Sequence, residues 1–200
     1  MKQPYHHGSL RQALLDAAES ILDRGGIESL TLRATAREAG VSHGAPAHHF
    51  GDLTGLLTEL AASGFVRLRE TAEAEAQHAE PSDYVRALGR GYVRFARSHP
   101  GIFLLMFRSE RLDWSLPSLS AAGPAAFEVL SRQETGHLGG SANAFERLIA
   151  ASARWSLMHG LATLIVDGRL GAMTEKVPDA DLEVLVEKVL ELGLPTFREG

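Results

Sequence analysis

Apolar positions recur every three or four residues along most of the chain, which is the spacing of an amphipathic α-helix. The first stripe runs through residues 10–22 and stops at Gly25-Gly26, a pair that favours helix termination. Comparable stripes predict helices over 53–80, 82–99, 102–107, 125–134, 142–167 and 178–192. No stretch shows the strict alternation of a β-strand, and no internal repeat is visible. The pattern therefore predicts an all-α protein of about nine helices.

The first fifty residues predict three helices, of which the second and third are short. Thr31 can cap a helix over 32–38, because a hydroxyl can accept hydrogen bonds from the first free N–H groups. Gly40 supplies left-handed backbone for a tight turn, and Ser42 is placed to cap a third helix over 43–49. Two short helices joined by such a turn predict a helix-turn-helix, whose second helix enters the major groove of DNA.

The later segments carry four further expectations. Asp52 is placed to cap the fourth helix. Two prolines and a glycine within 109–124 predict a loop or irregular segment. The helix over 142–167 is apolar on most of its faces, so we expect it to be largely buried. The apolar stripe of the last helix consists of Leu182, Leu185, Val189 and Leu192.

Composition narrows the function classes. The chain has 200 residues and a formal net charge of −5, so bulk charge gives no support to nucleic-acid binding. Its first 50 residues hold five basic and five acidic side chains, so a DNA-binding prediction must rest on the motif. Cysteine is absent, which excludes disulfides and thiolate chemistry and is typical of a reducing cytoplasm. No export signal is visible, and the apolar runs are too short to cross a bilayer, so we expect no membrane partner.

Three histidines fall in the predicted third helix, at His43, His48 and His49. A metal site is one interpretation, but no carboxylate stands at ligand spacing, and adjacent helical residues point about 100° apart. Exposed imidazoles can instead donate hydrogen bonds to phosphates or base edges, and a plain solvated surface is the remaining alternative. We therefore expect DNA contact from His43 or His48, and no metal, cofactor or catalytic group.

The segment 30–57, "LTLRATAREAGVSHGAPAHHFGDLTGLL", resembles the DNA-binding domain of the TetR family of transcriptional regulators. Residues 5–60 follow the order of helices of that family throughout. The resemblance implies that Phe50 is a core residue. It also implies that the residues contacting DNA are Thr31, Arg33, Ser42, His43, Gly44, Ala45, His48 and His49.

Three positions depart from the pattern of the family. Ala47 and Leu53 stand where the family usually has a tyrosine and a lysine that contact phosphates, and Pro46 replaces an apolar residue. Losing two phosphate contacts predicts weaker sequence-independent affinity and a salt dependence flatter by about two counterions. The candidates to compensate are Lys2, Tyr5, His6 and His7.

The C-terminal half contains "HPGIFLLMF" (99–107) and "WSLMHGLATLIVDGRL" (155–170), which resemble a TetR subgroup with a Trp-His-Gly signature in its ligand-binding domain. Trp155, His159 and Gly160 match that signature. Large apolar side chains in this half are candidates to line an effector site, although a plain core requires the same residues. The candidates are Phe103, Met106, Phe107, Trp114, Phe127, Trp155, Met158 and His159. His159 is either a satisfied core histidine or ligand-facing.

The resemblance implies a helix-turn-helix DNA-binding domain over 1–52 and a helical ligand-binding and dimerisation domain over 53–200, joined by the long fourth helix. In that family the last two helices pair with those of a second subunit as a four-helix bundle. The small residues Ser152, Ser156 and Gly160 would permit close contact between the paired helices.

The expected function is that of a cytoplasmic, homodimeric repressor that is not an enzyme. It binds a pseudo-palindromic operator in double-stranded DNA and is released by a small, mostly apolar effector, with the fourth helix as the lever. One alternative is an all-α small-molecule-binding protein or enzyme that uses an apolar cavity with His159 or His99. Another is a TetR-like protein with weakened DNA binding.

Overall fold

The computed structural model describes residues 7–131 and 143–194, with the backbone alone described at residues 7–9, 109, 130 and 131. Within these ranges every regular element is helical, so the all-α prediction is confirmed, with ten α-helices where about nine are expected. They are α1 His7–Gly25, α2 Leu32–Glu38, α3 Ala45–Phe50, α4 Leu53–Ala76, α5 Tyr84–Ser98, α6 Pro100–Met106, α7 Pro117–Ser131, α8 Ala144–Val166, α9 Arg169–Thr174 and α10 Leu182–Gly193. The short 3-10 turns are Ile27–Ser29, Pro81–Asp83 and Ser109–Arg111. The predictions outside the described residues concern Lys2, Tyr5, His6, the side chain of His7, residues 132–134 and residue 142.

Single side chains set the ends of the early helices, as the sequence predicts. The Thr31 hydroxyl accepts a hydrogen bond from the Ala34 amide at 3.1 Å and caps α2. Gly40 turns the chain with a φ of +66°, a conformation that favours glycine. The Asp52 carboxylate accepts a hydrogen bond from the Gly55 amide at 2.8 Å and caps α4.

The third helix begins two residues later than predicted, and the prediction that Ser42 caps it is wrong. α3 starts at Ala45, and its N-cap position is Gly44, which has no side chain to accept a hydrogen bond. A helix starting at His43 would place Pro46 at the first position whose N–H must bond within the helix, and proline has no N–H. With the start at Ala45, the proline falls in the first turn, where that N–H is not needed.

The prediction of an irregular segment over 109–124 is wrong for its second half. α7 begins at Pro117, a position where proline is favourable, and it continues through Pro124. The internal proline removes one backbone hydrogen bond. One side of the helix is nevertheless buried, through Leu119, Ala122, Ala126 and Val129. Burial along that side outweighs the local cost of the proline. This burial depends on tertiary packing, so the local sequence does not reveal it.

α8 confirms the predicted long helix but not its burial. Phe145 is 69% exposed, and Leu148 and Ile149 are exposed as well, whereas Met158 on another face is fully buried. The expectation of a largely buried helix is therefore wrong for the single chain, because one apolar face of α8 is left in water. By length and composition alone α8 could cross a membrane, a test that core helices of soluble proteins also pass.

The last helix begins four residues later than predicted. Asp179 adopts a left-handed φ of +60°, which interrupts a helix that would start at residue 178. The Asp181 carboxylate then accepts a hydrogen bond from the Val184 amide at 2.9 Å and caps α10. Local backbone geometry and a cap therefore fix this start together.

The apolar stripe predicted on α10 is not the face that the single chain buries. Val186 and Leu190 are buried instead. A β-carbon at Gly89 of α5 would lie 3.0 Å from Leu190, so the missing side chain of this glycine makes room for the leucine. The stripe residues that are half-buried or exposed are Leu182, Leu185, Val189 and Leu192. The buried face of α10 is thus selected by a glycine on another helix.

The described chain forms two compact units. The first contains residues 7–65 and 99–123, and within it α1 packs against α2 and α6. The second contains residues 66–98, 124–131 and 143–194, and within it α5 packs against α8 and α10. A compact unit is not the same as a functional domain, so the predicted domain boundary after residue 52 stays a prediction.

Candidate functional sites

α3 presents two chemically different faces. Pro46 and Phe50 are buried and hold the helix to the first unit, as predicted for Phe50. His43, which precedes the helix, and Ala47 and His48 are exposed. The outward surface therefore combines imidazole donors with small side chains, a chemistry that suits phosphates and base edges in a DNA groove.

The other residues predicted to contact DNA lie in the same unit. Thr31 and Arg33 at the start of α2 are exposed, and so are Ser42 and Gly44 before α3; Ala45 and His49 are half-buried. The hydroxyl of Thr31 is already used by the Ala34 amide. Of the positions that depart from the expected pattern, Ala47 is exposed, Leu53 is half-buried and neither carries a charge.

The rings of the neighbouring histidines of α3 meet edge to face. The ring centroids of His48 and His49 are 5.4 Å apart with their planes at 82°, and the His49 ring lies 6.2 Å from that of Phe50. Within residues 7–131 and 143–194, no group of three or more His, Asp or Glu side chains is placed to hold a metal ion. Of the two imidazoles, that of His48 is the more exposed and is the candidate for a hydrogen bond to DNA.

Four of the residues predicted to line an effector site lie in the first unit. Phe103 and Phe107 have ring centroids 5.4 Å apart, and Phe65 lies 5.7 Å from Phe107 and 6.1 Å from Trp114. We call these four aromatic residues the Phe65 cluster. Phe103 is buried, as is the nearby predicted residue Met106, whereas Trp114 is 42% exposed. Sequence analysis did not select Phe65, because on α4 it has the same pattern as an ordinary core residue.

The other four predicted residues lie in the second unit, and two of them contact a tyrosine. Phe127 and Trp155 have ring centroids 5.9 Å apart at 81°, and Trp155 lies 5.8 Å from His159. The Tyr92 hydroxyl is 3.0 Å from Nδ1 of His159 and 3.3 Å from Nε1 of Trp155. We call Tyr92, Phe127, Trp155 and His159 the Tyr92 cluster. The remaining predicted residue, Met158, is fully buried.

Hydrogen bonding defines the protonation of the Tyr92 cluster. The indole N–H of Trp155 can only donate, so Tyr92 accepts that bond. Because the Tyr92 oxygen accepts from Trp155, its own proton is free to donate to Nδ1 of His159. With Nδ1 acting as an acceptor, the proton of the neutral imidazole resides on Nε2. Sequence analysis could not identify Tyr92 as part of this cluster, because its partners are distant along the chain.

Burial keeps the Tyr92 cluster uncharged near neutral pH. It raises the pKa of Tyr92, and the hydrogen bond from Trp155 offsets this only in part. Burial also lowers the pKa of His159 below its usual value of 6.5, because the charged imidazolium is desolvated. The cluster thus offers aromatic faces and a neutral imidazole, which suits an uncharged, mostly apolar ligand.

His99, the second histidine considered for an apolar cavity, is engaged elsewhere. It lies in the first unit, and its Nδ1 is 3.1 Å from Oε1 of Glu19 on α1. His159 belongs to the second unit. Each histidine is thus part of its own local set of contacts.

A cavity of about 490 Å³ in the second unit lies among side chains of α4, α5 and α10. Charged residues dominate it. Arg94 pairs with Glu75 at 2.7 Å, and Arg90 pairs with Glu187 at 3.2 Å. The cavity is therefore lined by ion pairs and differs from the apolar effector cavity that the sequence predicts.

Comparison with known families accounts for both halves of the chain. Residues 14–60 match the family described as bacterial regulatory proteins, tetR family. Residues 85–189 match the one described as tetracyclin repressor-like, C-terminal domain, and this second match alone covers more than half of the chain.

One curated regulator and two solved structures are similar to this chain. The HTH-type transcriptional regulator BetI of Stenotrophomonas maltophilia (strain R551-3) is 37% identical over 86 residues, which is 40% of this chain and only 42% of the length of that regulator. A solved protein of unknown function from Rhodococcus sp. RHA1 is 36% identical, with a TM-score of 0.75 over 96% of this chain and 94% of that one. The TetR family transcriptional regulator PfmR from Thermus thermophilus is 19% identical, with a TM-score of 0.65 over 93% and 99% of the two chains. At that identity the last likeness concerns the fold alone.

Proposed function

The chain belongs to the TetR family of bacterial transcriptional regulators, and from this premise we propose that it is a homodimeric repressor released from its operator by a small, mostly apolar effector. Membership of that family makes it a DNA-binding regulator and not an enzyme, which removes the enzyme alternative. A cytoplasmic location follows from the same proposal, because the operator lies in the cytoplasm.

The outward face of α3 is the observation that carries the DNA part of this proposal. His43 and His48 are exposed, while Pro46 and Phe50 anchor the helix from behind. Two copies of α3 would enter successive major grooves of a pseudo-palindromic operator, about one turn of DNA apart. The imidazoles then donate to phosphates or base edges, and the small residues before the helix permit close approach.

The exposed apolar face of α8 supports the homodimer. Phe145 and Ile149 lie on it with Ser156 and Gly160, and a β-carbon at Gly160 would meet no atom within 4 Å. This face carries large apolar side chains at one end and small residues at the other. The small residues permit close packing of two helices. Leu192 on α10, 89% exposed, extends the apolar surface on the second helix of the proposed four-helix bundle.

The Tyr92 cluster supports the effector site and the subgroup. Trp155, His159 and Gly160 match the Trp-His-Gly signature, and Trp155 and His159 share Tyr92 as a hydrogen-bond partner. Their partial exposure and lack of charge suit an uncharged, mostly apolar effector. Fully buried candidates such as Phe103, Met106 and Met158 serve as core packing, and an effector contact for them stays a prediction.

α4 supplies a continuous lever. It runs from Leu53 to Ala76 without a break, and only two residues separate its start from the end of α3. Effector binding would favour a conformation in which the two copies of α3 no longer match the half-site spacing. By thermodynamic linkage, effector and operator must then weaken each other by the same factor.

A DNA titration tests this function. Fluorescence anisotropy with the DNA immediately upstream of the gene for this protein, across several salt concentrations, should show a specific complex whose affinity falls with salt. Because Ala47 and Leu53 supply no phosphate contact, the salt dependence should be flatter by about two counterions than that of a family member with tyrosine and lysine there.

The matched variants sharpen the titration. Ser42→Ala, His43→Ala and His48→Ala combined should weaken specific binding at least about tenfold, because direct base contacts contribute about 1–3 kcal/mol each. The thermal midpoint should be unchanged, since Ser42 caps no helix. His78→Ala, an exposed histidine after α4, is the control and should leave binding unchanged. Unchanged affinity in the triple variant would overturn the assignment of α3, and no specific complex even at low salt would favour a TetR-like protein with weakened DNA binding.

A further inference from the structure

Four side chains from four helices form a connected chain within the first unit. The Ser118 hydroxyl at the start of α7 donates to Oε1 of Glu59 on α4, at 2.9 Å. The other carboxylate oxygen of Glu59 accepts a hydrogen bond from Nη2 of Arg11 on α1. The guanidinium carbon of Arg11 lies 5.5 Å from the centre of the ring of Phe50, which is the last residue of α3. Glu59 therefore uses its two oxygens to join Ser118 on one side and Arg11 on the other.

This connection matters because α3 cannot fix its own position. The helix has six residues, and its only buried side chains are Pro46 and Phe50. A helix so short is not stable by its own hydrogen bonds and depends on tertiary contacts. The next residue, Gly51, leaves the helix with a φ of +77°, so no further turn of helix extends the anchor. The Phe50 ring and the group packed on it therefore determine the position of the C-terminal end of α3.

The Arg11 guanidinium is well suited to that task. A guanidinium over an aromatic face is attracted by the ring quadrupole. The long side chain of Arg11 is 41% exposed and would move freely in water without a partner. The side chain of Glu59 is only 24% exposed, and its carboxylate holds the Arg11 guanidinium in place. The neighbour of Glu59 is also tied to the same segment of chain, because the Asp113 amide donates to the buried Thr58 hydroxyl at 2.9 Å. Contacts from residues 113–118 thus converge on this turn of α4.

We propose that Glu59 is a positioning residue for the DNA-reading helix, which holds Arg11 against Phe50 and is itself oriented by the Ser118 hydroxyl. The inference rests on the proposed role of α3 in reading the operator. A displacement at the start of α7 would release one oxygen of Glu59, loosen Arg11 and free the end of α3. The start of α7 is thereby linked to DNA recognition through side chains, in addition to the backbone of α4.

Hydrogen–deuterium exchange of the free protein tests this link without DNA. In Ser118→Ala, amides of residues 45–51 should exchange about fivefold faster, because a lost hydrogen bond is worth about 1 kcal/mol. Glu59→Gln should show a larger effect, since a carboxamide has one acceptor oxygen where the carboxylate uses two. Amides of α1 between Leu14 and Ile21 should be unaffected, whereas a purely structural role would accelerate them equally.

Two matched variants on α7 control the experiment. Ser118→Thr keeps the hydroxyl and should restore exchange close to the wild-type rate. Ser120→Ala removes an exposed hydroxyl two residues further along the same helix and should change nothing. Unchanged exchange of α3 in both Ser118→Ala and Glu59→Gln would overturn the inference.

A DNA measurement then separates this inference from the proposed function. The readout is the ratio of affinities for the upstream fragment and for a shuffled fragment of the same length. If Glu59 positions α3, Glu59→Gln lowers the ratio about fivefold or more, because specific contacts depend on the placement of the helix. A parallel loss on both fragments would mean that only charge near the phosphates has changed, and would overturn the inference. A wild-type protein that does not discriminate refutes the proposed function, and the exchange experiment still decides the role of Glu59.

Discussion

α3 and α8 each leave one face in water, and the two faces have opposite chemistry. α3 exposes imidazole and small side chains and buries its apolar pair, Pro46 and Phe50. α8 exposes Phe145 and Ile149. Burial of apolar surface is worth roughly 25 cal/mol per Å², so the face of α8 gains by meeting another apolar surface. The face of α3 gains nothing from burial and is suited to a polar partner. The proposed second subunit and the proposed operator DNA would therefore meet different faces of the chain.

Aspartate substitutions on the apolar face of α8 are expected to have the largest effect, which is on the stability of the homodimer. Phe145→Asp combined with Ile149→Asp should weaken the homodimer at least about 100-fold, because burying one large apolar side chain contributes about 1.5–3 kcal/mol. Sedimentation velocity over a concentration series measures the dissociation constant. Leu104→Asp, at an exposed leucine of α6, is the matched control and should change it by no more than about twofold. A dimer that tolerates both aspartates would show that subunits associate through another surface.

Two glycines of the second unit separate packing within the chain from packing between chains. A β-carbon at Gly91 would lie 2.6 Å from Cα of Ala72, which is backbone and cannot turn aside. Gly91→Ala should therefore lower the free energy of unfolding by about 2 kcal/mol, the usual cost of overpacking. Gly160 has open space around it, so Gly160→Ala should raise the free energy of unfolding by up to about 1 kcal/mol through helix propensity.

Urea denaturation measures both glycine variants, in the background of Phe145→Asp and Ile149→Asp so that dimer formation does not contribute. In the dimeric protein Gly160→Ala should instead weaken association, because the small residue permits close helix contact. Equal destabilisation by both alanines in the monomeric background would contradict the assignment of Gly160 to an open face.

Thr31 and Ser42, which precede α2 and α3, are expected to differ by a smaller amount in their contribution to the free energy of unfolding. Thr31→Ala should lower the free energy of unfolding by about 1 kcal/mol, because the Ala34 amide loses its acceptor. Ser42→Ala should change it by less than about 0.5 kcal/mol, since Gly44 holds the N-cap position of α3. Thermal and urea unfolding of the two variants provide the comparison. A serine variant as unstable as the threonine variant would mean that Ser42 does cap the helix in solution.

The sequence predicts helix ends where one residue decides them and fails where a second residue intervenes. Thr31, Gly40 and Asp52 act through their own hydroxyl, backbone or carboxylate, and their positions are confirmed. Ser42 has the same local signal, but Pro46 moves the helix start beyond its reach. The buried face of α10 could not be predicted for a related reason, because it packs against Gly89, which is distant along the chain.

The candidate sites divide in the same way. The exposure of His43 and His48 follows from a short motif and could be predicted. Tyr92 could not be identified as the partner of His159, because 67 residues separate them and only the fold brings them together. The same holds for Glu59, whose importance depends on contacts with three other helices. Local signals thus suffice for the proposed DNA-reading surface, while the proposed effector site depends on long-range packing.

The Tyr92 cluster provides the smallest expected effect, a dependence of stability on pH. Burial lowers the pKa of His159 below its usual value of 6.5, so the folded protein binds fewer protons at this group than the unfolded chain does. The contribution of neutral His159 to the free energy of unfolding is therefore fully present above about pH 6.5. It is lost as the pH falls towards the lowered pKa of His159 in the folded state, and below that pKa the loss is complete. The effect is modest, because His159 is only half-buried.

A comparison of urea unfolding for the wild type and His159→Gln between pH 7.5 and pH 5 (values set on either side of about 6.5) measures this contribution. Glutamine has no proton to gain, so the free energy of unfolding of the variant should fall less on acidification than that of the wild type. His78→Gln, at an exposed position, should keep the wild-type slope. A wild type that gains stability relative to His159→Gln as the pH falls would mean that His159 is held as the imidazolium. The Tyr92 cluster would then suit an anionic effector rather than an uncharged one, and its chemistry would be closer to the hydrogen-bonding surface of α3 than to the apolar face of α8.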